Sequence, residues 1–118
     1  MSTLITESIK RPTEAGSRSA RGIAAMWLNL NGTGTIAIRR SLNVASVVDV
    51  GVGSYSANLT SAAVDGNGAV TMGPTQFALG NDLGFFFSAS RVDMLCFNNS
   101  SAAADNVVVQ TIGAGDLA

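Results

Sequence analysis

Chemistry needs nucleophiles, acids, bases or metal ligands, and this chain holds few of them. It has no histidine, so neither a Ser-His-Asp or Cys-His relay nor an imidazole-ligated zinc or iron can form within one chain. Its single cysteine, Cys96, sits in Met94-Leu95-Cys96-Phe97. One thiol makes no intrachain disulfide and no CxxC metal clip, and these apolar neighbours predict that it is simply buried. Carboxylates remain: Asp49, Asp65, Asp82, Asp93, Asp105 and Asp116. Two of them about 5–10 Å apart would suit glycoside cleavage, but most stand beside Gly or Asn, where an aspartate ordinarily braces its own turn. Asp65-Gly66-Asn67-Gly68 supplies only fragments of a calcium loop. Gly32-Thr33-Gly34-Thr35 and Gly51-Val52-Gly53 lack the third glycine, the following helix and the Lys-Ser/Thr of a phosphate loop, and read as turns. The expectation is a protein that is not an enzyme and uses no cofactor or metal.

Side chains that bind without reacting are more informative. Trp27 and Tyr55 are the candidates for packing at an interface or stacking on a glycan ring. Alternation along a strand sends Phe85 and Phe87 to one face and Phe86 to the other, so at least one of those faces is core or subunit interface. The cations crowd the front of the chain. Residues 1–40 hold Lys10, Arg11, Arg18, Arg21, Arg39 and Arg40 against Glu7 and Glu14, a net +4, whereas residues 41–118 hold Arg91 against the six aspartates, a net -5. The cations of residues 1–22 are scattered among two glutamates with no aromatic between them, which argues against nucleic acid as the partner. They suit docking on an acidic protein surface, including the body of a neighbouring copy. Leu4, Ile5, Ile9, Lys10, Arg11, Arg18 and Arg21 are therefore the candidate anchoring residues of an arm or linker over residues 1–22, broken at Pro12-Thr13-Glu14-Ala15-Gly16-Ser17.

These side chains need a scaffold, and 118 residues suffice for one domain. From residue 23 to 118 the pattern is strands between turns. Met26, Leu28 and Leu30 alternate with Ala25, Trp27 and Asn29, and Asn31-Gly32-Thr33-Gly34 then turns the chain into Thr35-Ile36-Ala37-Ile38, a candidate hairpin. Leu42 to Val50, reversing at Gly51-Val52-Gly53 into the alternating Tyr55, Ala57 and Leu59, makes a second. Further runs lie at Ala69–Met72, Thr75–Leu79, Gly84–Ala89, Val92–Phe97 and Asn106–Ile112. Only Ser101-Ala102-Ala103-Ala104-Asp105 has a helix-forming composition, enough for one turn. The spacing predicts an all-β, antiparallel sandwich or barrel of about eight short strands with an extended N-terminal arm.

Charged residues make up 13% of the chain and hydrophobic ones 47%, against a usual charged share of about 25%. A sheet protein this poor in ions lacks the Lys, Glu and Pro that stop edges from pairing, for Pro12 and Pro74 are its only prolines. Closure or self-association must do that work, so a homo-oligomer is expected. Residues 1–10 lack the charged start and the apolar run of about 7–15 residues that mark a signal peptide. No stretch reaches about 18 predominantly apolar residues, so membrane insertion is not expected.

The block Ala25-Met26-Trp27-Leu28-Asn29-Leu30-Asn31-Gly32-Thr33-Gly34-Thr35-Ile36-Ala37-Ile38-Arg39, followed by Ser41-Leu42-Asn43-Val44-Ala45-Ser46-Val47 and Gly51-Val52-Gly53-Ser54-Tyr55, resembles a module of marine bacteriophage tail-fibre and small virion proteins. There the pattern runs A-W-V-N-F-N-G-T-G-T-V-A-I-R. The resemblance covers residues 1–10 and 22–62. Here Met26 is inserted before Trp27, Leu28 and Leu30 replace Val and Phe, and the Asp49–Ser54 turn lacks the polar residues of the pattern. The resemblance implies a virion structural protein, made in the host cytoplasm, that forms homo-oligomers, with a trimer favoured. It would be a tail-fibre or head-fibre component docked on other virion proteins by its arm. The alternatives are a capsid decoration protein, or a carbohydrate-binding module that takes part in host adsorption. No catalytic residue comes with the resemblance.

Overall fold

Period-two alternation builds the domain. In the strand Ala24–Asn31, Met26, Leu28 and Leu30 are buried on one face while Trp27 stands out on the other; Tyr55, Ala57 and Leu59 do the same in Ser54–Leu59. The computed structural model describes residues 24–73 and 82–117, together with the backbone of Ser8–Ile9 and Arg18–Ser19. In chain order the strands are β1 (Ser8–Ile9), β2 (Arg18–Ser19), β3 (Ala24–Asn31), β4 (Ala37–Leu42), β5 (Val44–Gly51), β6 (Ser54–Leu59), β7 (Ala69–Met72), β8 (Leu83–Ser88), β9 (Arg91–Leu95) and β10 (Val109–Ala114). The expected strand at Thr75–Leu79, with Phe77, lies outside the described residues.

Eight strands form two antiparallel sheets of four, ordered β4-β3-β10-β7 and β5-β6-β9-β8. Among the described residues β1 and β2 pair only with each other, Ser8 opposite Ser19 and Ile9 opposite Arg18. The inner faces meet in one core: Met26, Leu28 and Leu30 of β3 and Val109 of β10 face Tyr55, Ala57, Phe86, Val92 and Met94 of the second sheet. Each such aliphatic or aromatic side chain contributes roughly 1.5–3 kcal/mol by leaving water. The fold is therefore the all-β antiparallel sandwich that the alternation implies, and no helix occurs among the described residues. The alanine-rich stretch after Ser100 is an irregular loop, with Ser101 at φ 61 and Ala103 bridged to Phe97. Four small residues and an aspartate cannot repay helix nucleation.

The chain moves between sheets instead of completing one and starting the next. A single residue, Asn43, joins β4 of the first sheet to β5 of the second. It takes a left-handed φ of 58, and its Nδ2 donates to the carbonyls of Ala25 and Ser61 while its Oδ1 accepts from the Ser61 amide. Asn suits a left-handed site because its short side chain bonds locally.

Candidate interaction surfaces

The aspartates hold loops together over long separations. Asp105 Oδ1 accepts from the Gly53 amide at 2.8 Å and from the Tyr55 hydroxyl at 3.0 Å, and that hydroxyl also donates to the Gly32 carbonyl at 2.8 Å. Asp82 accepts from the Phe97 amide at 2.8 Å. Turn-bracing within the local sequence, expected for most of these residues, holds for Asp65, which caps the Asn67 amide. Asp82 and Asp105 also reach beyond their own turns, because the sandwich brings remote loops to their carboxylates. Both also lie close enough to Cys96 to act on it. Burial first, then the charges of Asp82 and Asp105, push the Cys96 thiol from its ordinary 9.0 up to about 12. Burial likewise raises the Tyr55 phenol above its ordinary 10.0, with the Asp105 hydrogen bond and charge acting in the same direction. Neither buried group ionises at neutral pH, and the exposed Asp105 serves to brace Tyr55 and the Gly53 turn. Among the described residues no three acidic or thiol side chains gather as a metal site requires.

The surfaces are more distinctive. On the outer face of the first sheet, cross-strand register puts Leu42, Trp27 and Ile112 side by side on β4, β3 and β10, each more than a third exposed. Beside them Thr71, Gly73, Gln110 and Ile112 line a shallow depression of about 290 Å³. On the outer face of the second sheet, Arg91 grips Asp93 through Nε and Nη2 at 2.9 Å each. Asp93 also accepts from the Ser56 hydroxyl at 2.7 Å, and the guanidinium stacks 3.6 Å from the centre of the Phe87 ring. Phe85 and Phe87 stay exposed beside this network while Phe86 turns into the core, as alternation requires. The third surface is the side formed by β4 and β5. No residue of either strand is buried, although they contain Ile38, Leu42, Val44, Val47, Val48 and Val50.

The sequence-derived residues fare differently. Trp27 is exposed and central to the first row. Tyr55 is corrected: at 0% exposure, with its hydroxyl engaged inside the molecule, it offers no face to a glycan or a partner. Its inward position in β6 follows from the same alternation that buries Ala57 and Leu59. Leu4, Ile5, Lys10, Arg11 and Arg21 lie outside the described residues, as do the side chains of Ile9 and Arg18. Sequence reasoning missed the exposed β4 and β5 side and the Arg91–Asp93–Phe87 arrangement. The i, i+2 spacing of Arg91 and Asp93 on one strand face was a usable signal for the latter.

Compared with known protein families, characterised proteins and solved structures, the chain matches none.

Proposed function

We propose that this chain is a structural subunit of a bacteriophage virion, a homo-oligomeric tail-fibre or head-fibre component, favoured as a trimer and held to the particle by its N-terminal arm. The observation that carries the reading is the set of large apolar side chains left uncovered on strands of the phage-like block: Trp27, Ile38, Leu42, Val48 and Val50 are all exposed in the single chain. Monomeric proteins rarely leave contiguous apolar patches of more than a few hundred Å² in water, and a chain with only 13% charged residues has little else to keep such patches apart. The proposal assigns no catalysis, and the Asp105 carboxylate is taken up by the Gly53 amide and the Tyr55 hydroxyl. Particles assembled with a chain lacking residues 1–22 are expected to carry none of this protein, and normal incorporation would refute the anchoring role. Imaging that finds the copies flat on the capsid instead of on a fibre would favour capsid decoration.

A second reading is supported by the Phe85, Phe87, Arg91 and Asp93 surface. Exposed rings beside a fixed guanidinium and carboxylate are the chemistry that stacks on a sugar face and bonds its hydroxyls. As a host-glycan site it would take the place of Tyr55. Loss of glycan binding on Phe87→Ala but not on Trp27→Ala is the expected pattern for this reading.

A further inference from the structure

The two sides of the sandwich are closed differently. On one side β7 and β8 come together because Gly84 has no side chain: a Cβ there would meet Val70 Cγ1 at 2.7 Å and Met72 Sδ at 3.2 Å. On the other side β4 and β5 part. Ile36, Ile38 and Val47 rim an opening of about 250 Å³ that reaches the buried Leu30. Among the described residues β5 is also the edge of its sheet, with β6 as its one partner, so its outer backbone groups face no described strand. Over Val44–Gly51 it offers four valines, one charge at Asp49, and neither Pro nor Lys. Its register with β6 shifts at Val44/Ser46 and at Asp49/Gly51, which leaves Ser46–Asp49 as the regular part of the edge, and an edge this poor in charge is a template for a further strand.

We propose that residues 1–23 of one copy add as a strand to the β5 edge of a neighbouring copy and cover this opening. The inference rests on the anchoring role of the arm proposed above and names its receiving surface. Position supports it, because β3 begins at Ala24 and the Ala25 carbonyl is held by Asn43, the residue joining β4 to β5. The arm therefore starts at the foot of this same side. Charge agrees. Lys10, Arg11, Arg18 and Arg21 outnumber Glu7 and Glu14, and the receiving side presents Asp49, with Asp105 at its far end. On β4, Arg39 is drawn to the Leu30 carbonyl and Asn29 of β3, and Arg40 stands opposite Asn29, so both lean over the first sheet. Among the described residues β1 and β2 pair with each other and with no other strand, so it is the outer edge of this pair that the arm brings to the β5 edge.

The test compares the full chain, a chain lacking residues 1–23 and full-length Val48→Lys by solution mass and by amide hydrogen exchange. The truncated chain retains every strand of both sheets and the whole core. The full chain is expected to be multimeric, with amides of residues 44–51 exchanging at least roughly tenfold more slowly than in the truncated, lower-mass chain. Val48→Lys, intact elsewhere, is expected to lose mass and β5 protection together. If truncation lowers the mass but leaves exchange at 44–51 unchanged, the arm anchors elsewhere and only the β5 proposal fails. If truncation leaves the mass unchanged, the anchoring role fails and takes the proposal with it. Slow exchange at 44–51 in a monomeric full chain would mean that the arm covers its own body, which overturns the exchange between copies.

Discussion

Single residues in this domain matter through what the fold presses against them. Cys96 has an ordinary ionisation at 9.0 that burial and two nearby aspartates push up to about 12. The unfolded chain therefore releases this proton before the native one does. The stability its protonated form contributes is whole below about pH 9 and is lost progressively as the pH rises from about 9 toward 12. Tyr55, also raised, adds a second loss above about pH 10. Urea midpoints measured from pH 8 upward should fall from about pH 9, and Cys96→Ala should flatten the first part of that fall. Glycines give a sharper contrast. Gly53 has φ 68, and a Cβ there would overlap the Cys96 carbonyl and lie 2.7 Å from the Ala104 amide; Gly34 has φ 59 with nothing within 4 Å. Gly34→Ala should cost about 1 kcal/mol of backbone strain, and Gly53→Ala well over 2 kcal/mol, in the same urea titration. Asn106 is fully buried with neither side-chain amide atom hydrogen-bonded among the described residues. An unpaired buried amide costs about 1–3 kcal/mol, so Asn106→Leu is expected to be neutral or stabilising by thermal melting, whereas truncating nearby Val109 to Ala is not.

At the scale of elements, the one-residue crossing at Asn43 has the largest consequence. It carries the chain from one sheet to the other, so β4 and β5 become the edges on one side of the sandwich. Its three side-chain bonds and left-handed φ make the position separable by substitution. Asn43→Gly, which keeps the backbone freedom and loses the bonds, is expected to cost about 1–2 kcal/mol, and Asn43→Ala, which loses both, about 2–4 kcal/mol. The difference is readable as a shift in melting temperature. Hairpins such as β5–β6 were legible because Gly51-Val52-Gly53 and the alternating Tyr55, Ala57 and Leu59 are local signals. The crossing was not, since the run from Leu42 to Val50 looks continuous until pairing with β3 and with β6 divides it at Asn43.

For the whole molecule, the question is how an ion-poor sandwich with exposed Leu42, Trp27 and Ile112 on one face and Phe85 and Phe87 on the other stays dispersed. The proposed assembly is one arrangement that covers these surfaces. Trp27 is the only tryptophan and is 36% exposed in the single chain, so its fluorescence reports on coverage directly. Emission should shift to shorter wavelength and resist acrylamide quenching as concentration is raised through the association range. A spectrum independent of concentration across a measured change in mass would show that the Trp27 face stays open and that other surfaces make the contacts.

The amino-acid sequence by itself determined the all-β class, the two hairpins, the inward positions of Met26, Leu28 and Leu30, the outward Trp27 and the buried Cys96, because each depends on period-two alternation or on residues a few positions apart. The tertiary structure alone decided that Tyr55 is sealed inside by Asp105 and Gly32, that Arg91 and Asp93 meet Ser56 and Phe87, and that one side of the sandwich closes over Gly84 while the other stays open beside Ile38 and Val47. These features join residues up to 50 positions apart, and which sheet receives each strand is settled by long-range packing that no local pattern encodes.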